Sequence, residues 1–175
     1  MAARLIYWDS MCFTYRLKRQ KENIETLEPI TQAAQDGNIV LVTSIFTMAE
    51  VACVSDSDTA EEQERQIELF FENDYIYPIP FDVAICKKSR ELVRLCHLKG
   101  KDAVHVASAL SVPDVSSLHT HDKKVINAYN GLFPNSPLRV ETPDAWSARI
   151  SGGTGSLFAA KQDDDPGSNE TQLAP

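Results

Sequence analysis

Short apolar runs alternate with helical patterns along most of the chain, and this alternation limits the folds that the sequence can adopt. Strands are predicted for five runs: RLIYW, NIVLVT, YIYPIP, SSLHTH and LRVET. The prolines of the third run predict an edge strand, because proline removes a ladder donor. Amphipathic patterns between the runs predict helices, among them residues 81–99, with Gly100 as the C-cap. Strands alternating with helices indicate an α/β domain with a mostly parallel sheet.

The folded part of the chain is predicted to end before the C-terminus. A chain of 175 residues, 43% of them hydrophobic, is long enough for one domain with a substantial core. From Ser147 onward the sequence contains four of the seven glycines, an acidic triplet and few residues able to build a core. We therefore expect a folded domain over 1–146 and a disordered tail over 147–175. Within that tail, Leu157 and Phe158 form a weak candidate docking motif.

The sequence indicates a cytoplasmic protein with reduced thiols. No run approaches the roughly 18 apolar residues that a membrane span requires, and the N-terminal MAARLIYWDS lacks the long apolar region of a signal peptide. The four cysteines lie far apart, without a CxxC pair. We therefore expect no membrane association and no disulfide bonds.

Charge is distributed unevenly along the chain, whose formal net charge is −8. The segment from Glu22 to Asp82 has fourteen acidic residues and one basic residue, so it carries −13 and leaves +5 for the remainder. Positive residues collect in RLKRQK and between Lys87 and Lys101. A basic surface opposite an acidic one would suit a phosphate backbone on one side and another partner on the other, whereas solvated helix faces explain the same runs equally well.

Four acidic side chains fall where functional residues of a parallel sheet gather. Asp9 and Asp122 each follow a predicted strand directly, beyond its carboxyl end. Glu50 lies in the helix after NIVLVT, and Asp102 begins a helix of small residues that can pack close to the sheet. Taken singly, Asp102 could be a helix cap and Glu50 a solvated helix residue. Their joint placement predicts one shared cluster.

A cluster of four carboxylates requires a cation. Two carboxylates about 4 Å apart repel by roughly 4 kcal/mol at an effective dielectric of about 20. Oxygen-only ligands select Mg²⁺ or Mn²⁺ over zinc, and such ions orient a phosphodiester and lower the pKa of an attacking water. The acids therefore predict metal-assisted phosphodiester hydrolysis. Three other acids, in loop or strand-end contexts, are interpreted as structural: Asp114, Asp144 and Glu141.

Histidines offer a second kind of site. His119 and His121 alternate as residues on one strand face do, so a zinc site with Cys96 or His97 is an alternative, although the further ligands lack motif spacing. His105 shares a helical face with Asp102 at i, i+3. It is interpreted as a packing residue in preference to a general base.

At the four acids the sequence resembles the PIN-domain nuclease family, and particularly its VapC-like toxin members. The resemblance covers residues 5–146 and rests on LIYWDS, TSIFTMAEV, KGKDAVHVASAL and LHTHDKKV, the third being the most specific. It implies a PIN-like fold of three layers, α/β/α, and an endoribonuclease that uses one or two divalent ions, Mg²⁺ or Mn²⁺. It further implies a homodimer, neutralised by a small antitoxin protein that inserts a segment near the site.

The resemblance also implies roles for individual residues. Asp9, Asp102 and Asp122 match metal-ligand positions, and Glu50 matches the acidic position of the second motif. Thr120 matches a polar position that supports the last acid. The Asn often found shortly after the first Asp is absent, which leaves Ser10 as the nearby polar group. Apart from the resemblance, three basic residues are candidate contacts to RNA phosphates, although a solvated helix explains them equally well: Arg16, Lys18 and Arg19.

Other functions stay open at this point. The acidic segment from Asp56 to Glu72 is more negative than expected over an RNA groove, so it is a better candidate for contacting a protein partner. A catalytically silent PIN-like module that binds RNA or protein is one alternative to the toxin, and a housekeeping RNA-processing nuclease is another. A zinc-dependent regulatory domain is the third.

Overall fold

A computed structural model describes residues 2–52, 55 and 58–151. Within these residues five strands form one sheet: β1 (Arg4–Trp8), β2 (Ile39–Ser44), β3 (Ile76–Ile79), β4 (Ser117–His119) and β5 (Arg139–Glu141). The described residues also form eight helices: α1 (Ser10–Leu17), α2 (Lys21–Gln35), α3 (Ile45–Glu50), α4 (Ala60–Phe71), α5 (Val83–Cys96), α6 (Gly100–Leu110), α7 (Lys123–Leu132) and α8 (Pro143–Ser151).

All five strands are parallel, in the order β3-β2-β1-β4-β5. The chain builds outward from β1 through β2 to β3, and then returns to place β4 on the other side of β1. The strand order therefore reverses between β1 and β4, where open α/β sheets bind their ligands beyond the carboxyl ends of the strands. The predicted α/β class is confirmed, and β3 is an edge strand as its proline indicates.

Helices cover both faces of the sheet. Because side chains alternate along a strand, β1 directs Ile6 and Trp8 to one face and Tyr7 to the other. The first face packs against α1, α2, α4 and α8, and the second against α5, α6 and α7. This arrangement is the three-layer α/β/α architecture, which explains why β2 is buried almost throughout.

The junction between α5 and α6 differs from the prediction. Gly100 was expected to cap the helix over 81–99, but α5 ends at Cys96 and Gly100 is the first residue of α6. His97 ends α5 in the left-handed conformation, with φ at 52°, a role that glycine more often fills. The short linker places the start of α6 close to the end of α5, and the two helices pack along each other.

Helix α8 (Pro143–Ser151) crosses the position 146/147, where the sequence predicts the end of the folded domain. Pro143 opens the helix and the Thr142 hydroxyl accepts a hydrogen bond from the Ala145 N–H at 3.2 Å. Trp146 and Ile150 are buried in the core of the first face. Composition missed this helix because only two large apolar side chains precede the glycine-rich stretch. The rest of the predicted tail, 152–175, lies outside the described residues.

Arg149 ties α8 to the edge of the sheet. Its guanidinium donates to Glu141 Oε1 at 2.6 Å and to the Ser117 hydroxyl at 3.2 Å. The Ser117 hydroxyl in turn donates to Glu141 at 2.9 Å. Glu141 is buried and hydrogen-bonded, as its interpretation as a structural residue requires.

Three of the four cysteines lie in the described part of the chain, and all three are free thiols: Cys12, Cys86 and Cys96. Cys53 lies outside the described residues. No helix in the described part of the chain is both long enough and apolar enough to cross a membrane.

His119 is a histidine buried completely in the core of the first face. The Trp8 indole N–H donates to its Nδ1 at 3.1 Å, and its ring lies against Trp146 with centroids 5.1 Å apart. Burial, together with the charges of Arg149 and His121, lowers the pKa of His119 to about 3. The imidazole is therefore neutral in the folded protein at physiological pH.

We expect the free energy of unfolding to fall as the pH drops below about 6.5. The unfolded chain then protonates His119 while the folded chain does not, so stability decreases by up to about 1.4 kcal/mol per pH unit until the folded pKa is reached. Denaturant unfolding between pH 7 and pH 4 measures this slope. His119→Asn keeps an acceptor for Trp8 and should flatten the slope, although it lowers stability at pH 7. An unchanged slope in that variant would contradict the assignment.

Candidate active site

A cavity of about 150 Å³ opens beyond the carboxyl ends of β1 and β4. Five of its lining residues are among those predicted from sequence: Asp9, Ser10, Asp102, Thr120 and Asp122. The other lining residues are Met11, Lys99, Lys101, His105, Leu118 and Val125. Three of the four predicted acids therefore face one space, which lies where the strand order reverses.

Two of the aspartates are held by the helices that follow them. Asp9 directly follows β1 and caps α1, its Oδ1 accepting the Cys12 N–H at 3.0 Å. Asp122 follows β4 and caps α7, its Oδ1 accepting the Lys124 N–H at 2.7 Å. The Thr120 hydroxyl accepts the backbone N–H of Asp122 at 3.1 Å and fixes that turn. Each cap engages one carboxylate oxygen, so the second oxygen can serve the cavity.

Asp102 is held differently, and the helix-cap explanation for it is wrong. It lies in the first turn of α6, but Lys99 is the N-cap residue and that end has no side-chain cap. In the described part of the chain its carboxylate accepts no hydrogen bond, although it is half buried. Burial raises the pKa of Asp102; Lys101 opposes this rise and Asp122 adds to it. Such an unpartnered, half-buried carboxylate is costly unless it serves a ligand.

Glu50 does not line the cavity, but it contacts residues that do. It is the last residue of α3. Its Oε2 lies 2.7 Å from His105 Nε2, and its Oε1 lies 3.4 Å from the Lys101 ammonium. Burial raises the pKa of Glu50, but His105, Ser10 and Lys101 outweigh it and lower the pKa to about 2. Glu50 is therefore a carboxylate at neutral pH, attached to the cavity through α6.

The basic residues at the cavity are not those predicted. Arg16, a candidate phosphate contact, donates to Glu28 at 2.9 Å and to Thr31 at 3.1 Å on α2 and does not line the cavity. The other two candidates are exposed at the end of α1 and do not line the cavity: Lys18 and Arg19. Lys99 and Lys101 line it instead. The sequence signal was present, since these lysines flank Gly100 directly before Asp102.

The alternative zinc site has no support. His119 faces Trp8 and Trp146 in the core of the first face, whereas Cys96 belongs to the core of the second. The sheet therefore lies between His119 and Cys96, which belong to the cores on its opposite faces. Across residues 2–52, 55 and 58–151, no three or more His, Cys, Asp or Glu side chains stand close enough together to hold an ion.

The fold and the cavity define an α/β domain with an aspartate-lined site at its switch point, an arrangement suited to phosphodiester chemistry. The chain matches the sequence model of the PIN domain over residues 6–130, and it therefore belongs to the PIN-domain family. PIN domains are generally nucleases, they act on nucleic acid, and they generally use divalent metal ions. Among curated proteins, none matches the chain significantly.

The chemistry of the cavity suits a hard divalent ion, although its aspartates, like the other His, Cys, Asp and Glu side chains of the described residues, do not stand close enough together to form an ion-binding group. Its acidic ligands are all carboxylates, which favour Mg²⁺ or Mn²⁺ over softer metals. The oxygens of Asp102 accept no hydrogen bond within the described residues, and the negative charge of the neighbouring Asp122 makes a positive charge beside them favourable. Because like charges repel, carboxylates around such a space stand apart and gain from a cation between them.

Proposed function

We propose that this chain is a divalent-metal-dependent endoribonuclease that hydrolyses RNA phosphodiester bonds, acting as the toxin of a toxin-antitoxin pair. One observation carries the proposal: three aspartates from three separate segments line one cavity at the switch point, and one of them, Asp102, caps no helix and accepts no hydrogen bond within the described residues. That carboxylate has no structural task there and is available to a ligand in the cavity.

Roles for the individual residues follow from their positions. Asp9, Asp102 and Asp122 would hold Mg²⁺ or Mn²⁺, with Glu50 as the fourth acid beside them. When bound, the ion would polarise the scissile phosphate and lower the pKa of an attacking water. Ser10 and Thr120 support the acids. The remaining task, binding substrate phosphates beside the acids, falls to Lys99 and Lys101.

The proposed partners are an RNA substrate, a second copy of the chain and a cognate antitoxin, in the cytoplasm. Helix α4 supports a protein partner, because it has no basic residue in its last turn and presents four exposed glutamates to solvent. These are Glu61, Glu62, Glu64 and Glu68. This surface would repel an RNA backbone and attract a basic protein segment.

A silent binding module and a housekeeping RNA-processing nuclease are the competing functions. The silent module is disfavoured because it gains nothing from three aspartates around one cavity, whose mutual repulsion only costs stability. The housekeeping nuclease would share this site and differ in its substrate and in the lack of an antitoxin. Growth arrest on expression, relieved by a neighbouring small open reading frame, would favour the toxin.

We expect the purified protein to cut a mixed pool of structured and single-stranded RNA in Mg²⁺ or Mn²⁺ and to stop when EDTA is added. Asp9→Asn should lower the cleavage rate by about 10²–10³-fold, since it removes a charge from the site while its amide oxygen keeps the α1 cap. Gel or fluorescence assays of product formation measure this. Asp114→Asn is the matched control, because Asp114 is exposed and away from the cavity. Cleavage that survives EDTA, or that persists in Asp9→Asn, would refute the proposal.

A further inference from the structure

A chain of hydrogen bonds runs from the central strand of the sheet to Glu50. The Tyr7 hydroxyl, buried on β1, lies 3.0 Å from Nδ1 of His105, and Nε2 of His105 lies 2.7 Å from Glu50. Tyr7 is fully buried and His105 is 5% exposed. The chain therefore crosses from the interior of the protein to the edge of the cavity without reaching solvent on the way.

The donors and acceptors of this chain can be assigned from Glu50. A carboxylate only accepts hydrogen bonds, so His105 Nε2 carries a hydrogen and donates it. In a neutral imidazole Nδ1 is then the acceptor, and the Tyr7 hydroxyl donates to it. Burial raises the pKa of Tyr7, which keeps its hydroxyl protonated and able to donate. Tyr7 thus fixes the tautomer that His105 needs.

Glu50 requires such a support because its own helix provides none. It is the last residue of α3, a helix of six residues, and a helix C-terminus disfavours a negative charge. Glu50 also contacts Ser10 and the Lys101 ammonium, and the Lys101 side chain is 56% exposed. His105 lies one turn after Asp102 on α6, so the same helix sets the position of one acid directly and of the other through its imidazole.

We propose that His105 is a positioning residue that holds Glu50 in place beside the metal-binding cavity, with Tyr7 fixing the orientation of the His105 ring. This inference rests on the proposed function, because it assigns His105 a part in the same site. His105 does not act on the substrate. Its interpretation from sequence as a packing residue is therefore incomplete, since its ring carries a hydrogen bond at each nitrogen.

Mn²⁺ binding to the full chain tests the inference without relying on activity, by the loss of the free-ion signal in electron paramagnetic resonance. His105→Leu should weaken Mn²⁺ binding by about 10- to 100-fold, the usual effect of losing a residue that orients a metal ligand. His105→Gln keeps an N–H donor and should lose less. Tyr7→Phe should weaken binding by about fivefold, through the loss of one neutral hydrogen bond. In His105→Leu, excess Mn²⁺ should restore much of the RNA cleavage.

Tyr129→Phe is the matched control for Tyr7→Phe. Tyr129 is also buried, and its hydroxyl hydrogen-bonds to Ser136 at 2.8 Å, but it does not line the cavity. Folded His105→Leu with unchanged Mn²⁺ affinity would overturn the inference. So would an equal loss in Tyr129→Phe and Tyr7→Phe, and if His105→Leu does not fold, His105→Gln and Tyr7→Phe decide. Wild-type protein that binds Mn²⁺ without cutting RNA overturns the proposed function alone, and wild-type protein that binds none overturns both.

Discussion

Replacing Asp102 with asparagine is expected to lower metal-dependent RNA cleavage by about 10²–10³-fold and, at the same time, to stabilise the protein at neutral pH. Activity falls because the cavity loses a carboxylate that caps no helix and faces the cavity. Stability rises because burial and the charge of Asp122 raise the pKa of Asp102. The folded state therefore binds this proton more tightly than the unfolded state, and ionised Asp102 opposes folding above its unfolded pKa.

Cleavage rates and denaturant unfolding, both measured in metal-free and metal-containing buffer, test the two parts separately. The stabilising effect should disappear at low pH, where the carboxyl group is protonated in both states. Asp9→Asn and Asp122→Asn provide the contrast. Each keeps an oxygen that can cap its helix but removes the negative charge beside the helix N-terminus, so neither variant should stabilise the protein. Full activity in Asp102→Asn would remove Asp102 from the site, and a large loss of stability would mean that it holds the fold.

Replacing Trp146 with alanine is expected to lower the free energy of unfolding by about 3–5 kcal/mol. The Trp146 side chain is 1% exposed and lies against the His119 ring. The Arg4 guanidinium lies over the indole, 6.0 Å from the ring centroid. Its removal leaves a cavity between α8, α2 and the sheet that so small a helix cannot close. Denaturant unfolding with a constant m-value measures the loss.

Two control variants show whether the loss of stability in Trp146→Ala comes from the buried indole. Trp146→Phe keeps most of the buried area and should cost less than the alanine variant. Leu132→Ala removes a large apolar side chain that is 53% exposed and should change stability little. If Trp146→Ala were as stable as Leu132→Ala, α8 would contribute little to the fold, and the earlier boundary at 146/147 would be the better description.

The features that could be predicted from sequence are those whose cause is local. The alternation of β-branched runs with amphipathic stretches predicts the strands, and the position of Asp9 and Asp122 directly after two of them places both at one edge of a parallel sheet. The order of strands is not local, and it is what makes β1 and β4 neighbours and brings these two residues to the same cavity.

The features that could not be predicted depend on contacts between distant segments. Arg16 looks like a phosphate contact in a basic run, yet Glu28 and Thr31 on the next helix engage it. Asp102 could be a cap from its position alone, and only the folded chain excludes that role. His105 is interpreted as a packing residue because small, apolar residues surround it in the sequence. Its two hydrogen-bond partners, Tyr7 and Glu50, are 98 and 55 residues away along the chain.

The strand order has a consequence for when the chain becomes active during its synthesis. Strand β1 is made first, but its Ile6 and Trp8 pair with Ser117 and His119, which emerge from the ribosome much later. Closing so long a loop is slow, because its entropy must be lost before the contacts form. Asp9, which follows β1, and Asp122, which follows β4, therefore reach the same cavity only when most of the domain has left the ribosome. The candidate site is therefore assembled only after nearly all of the domain has been translated.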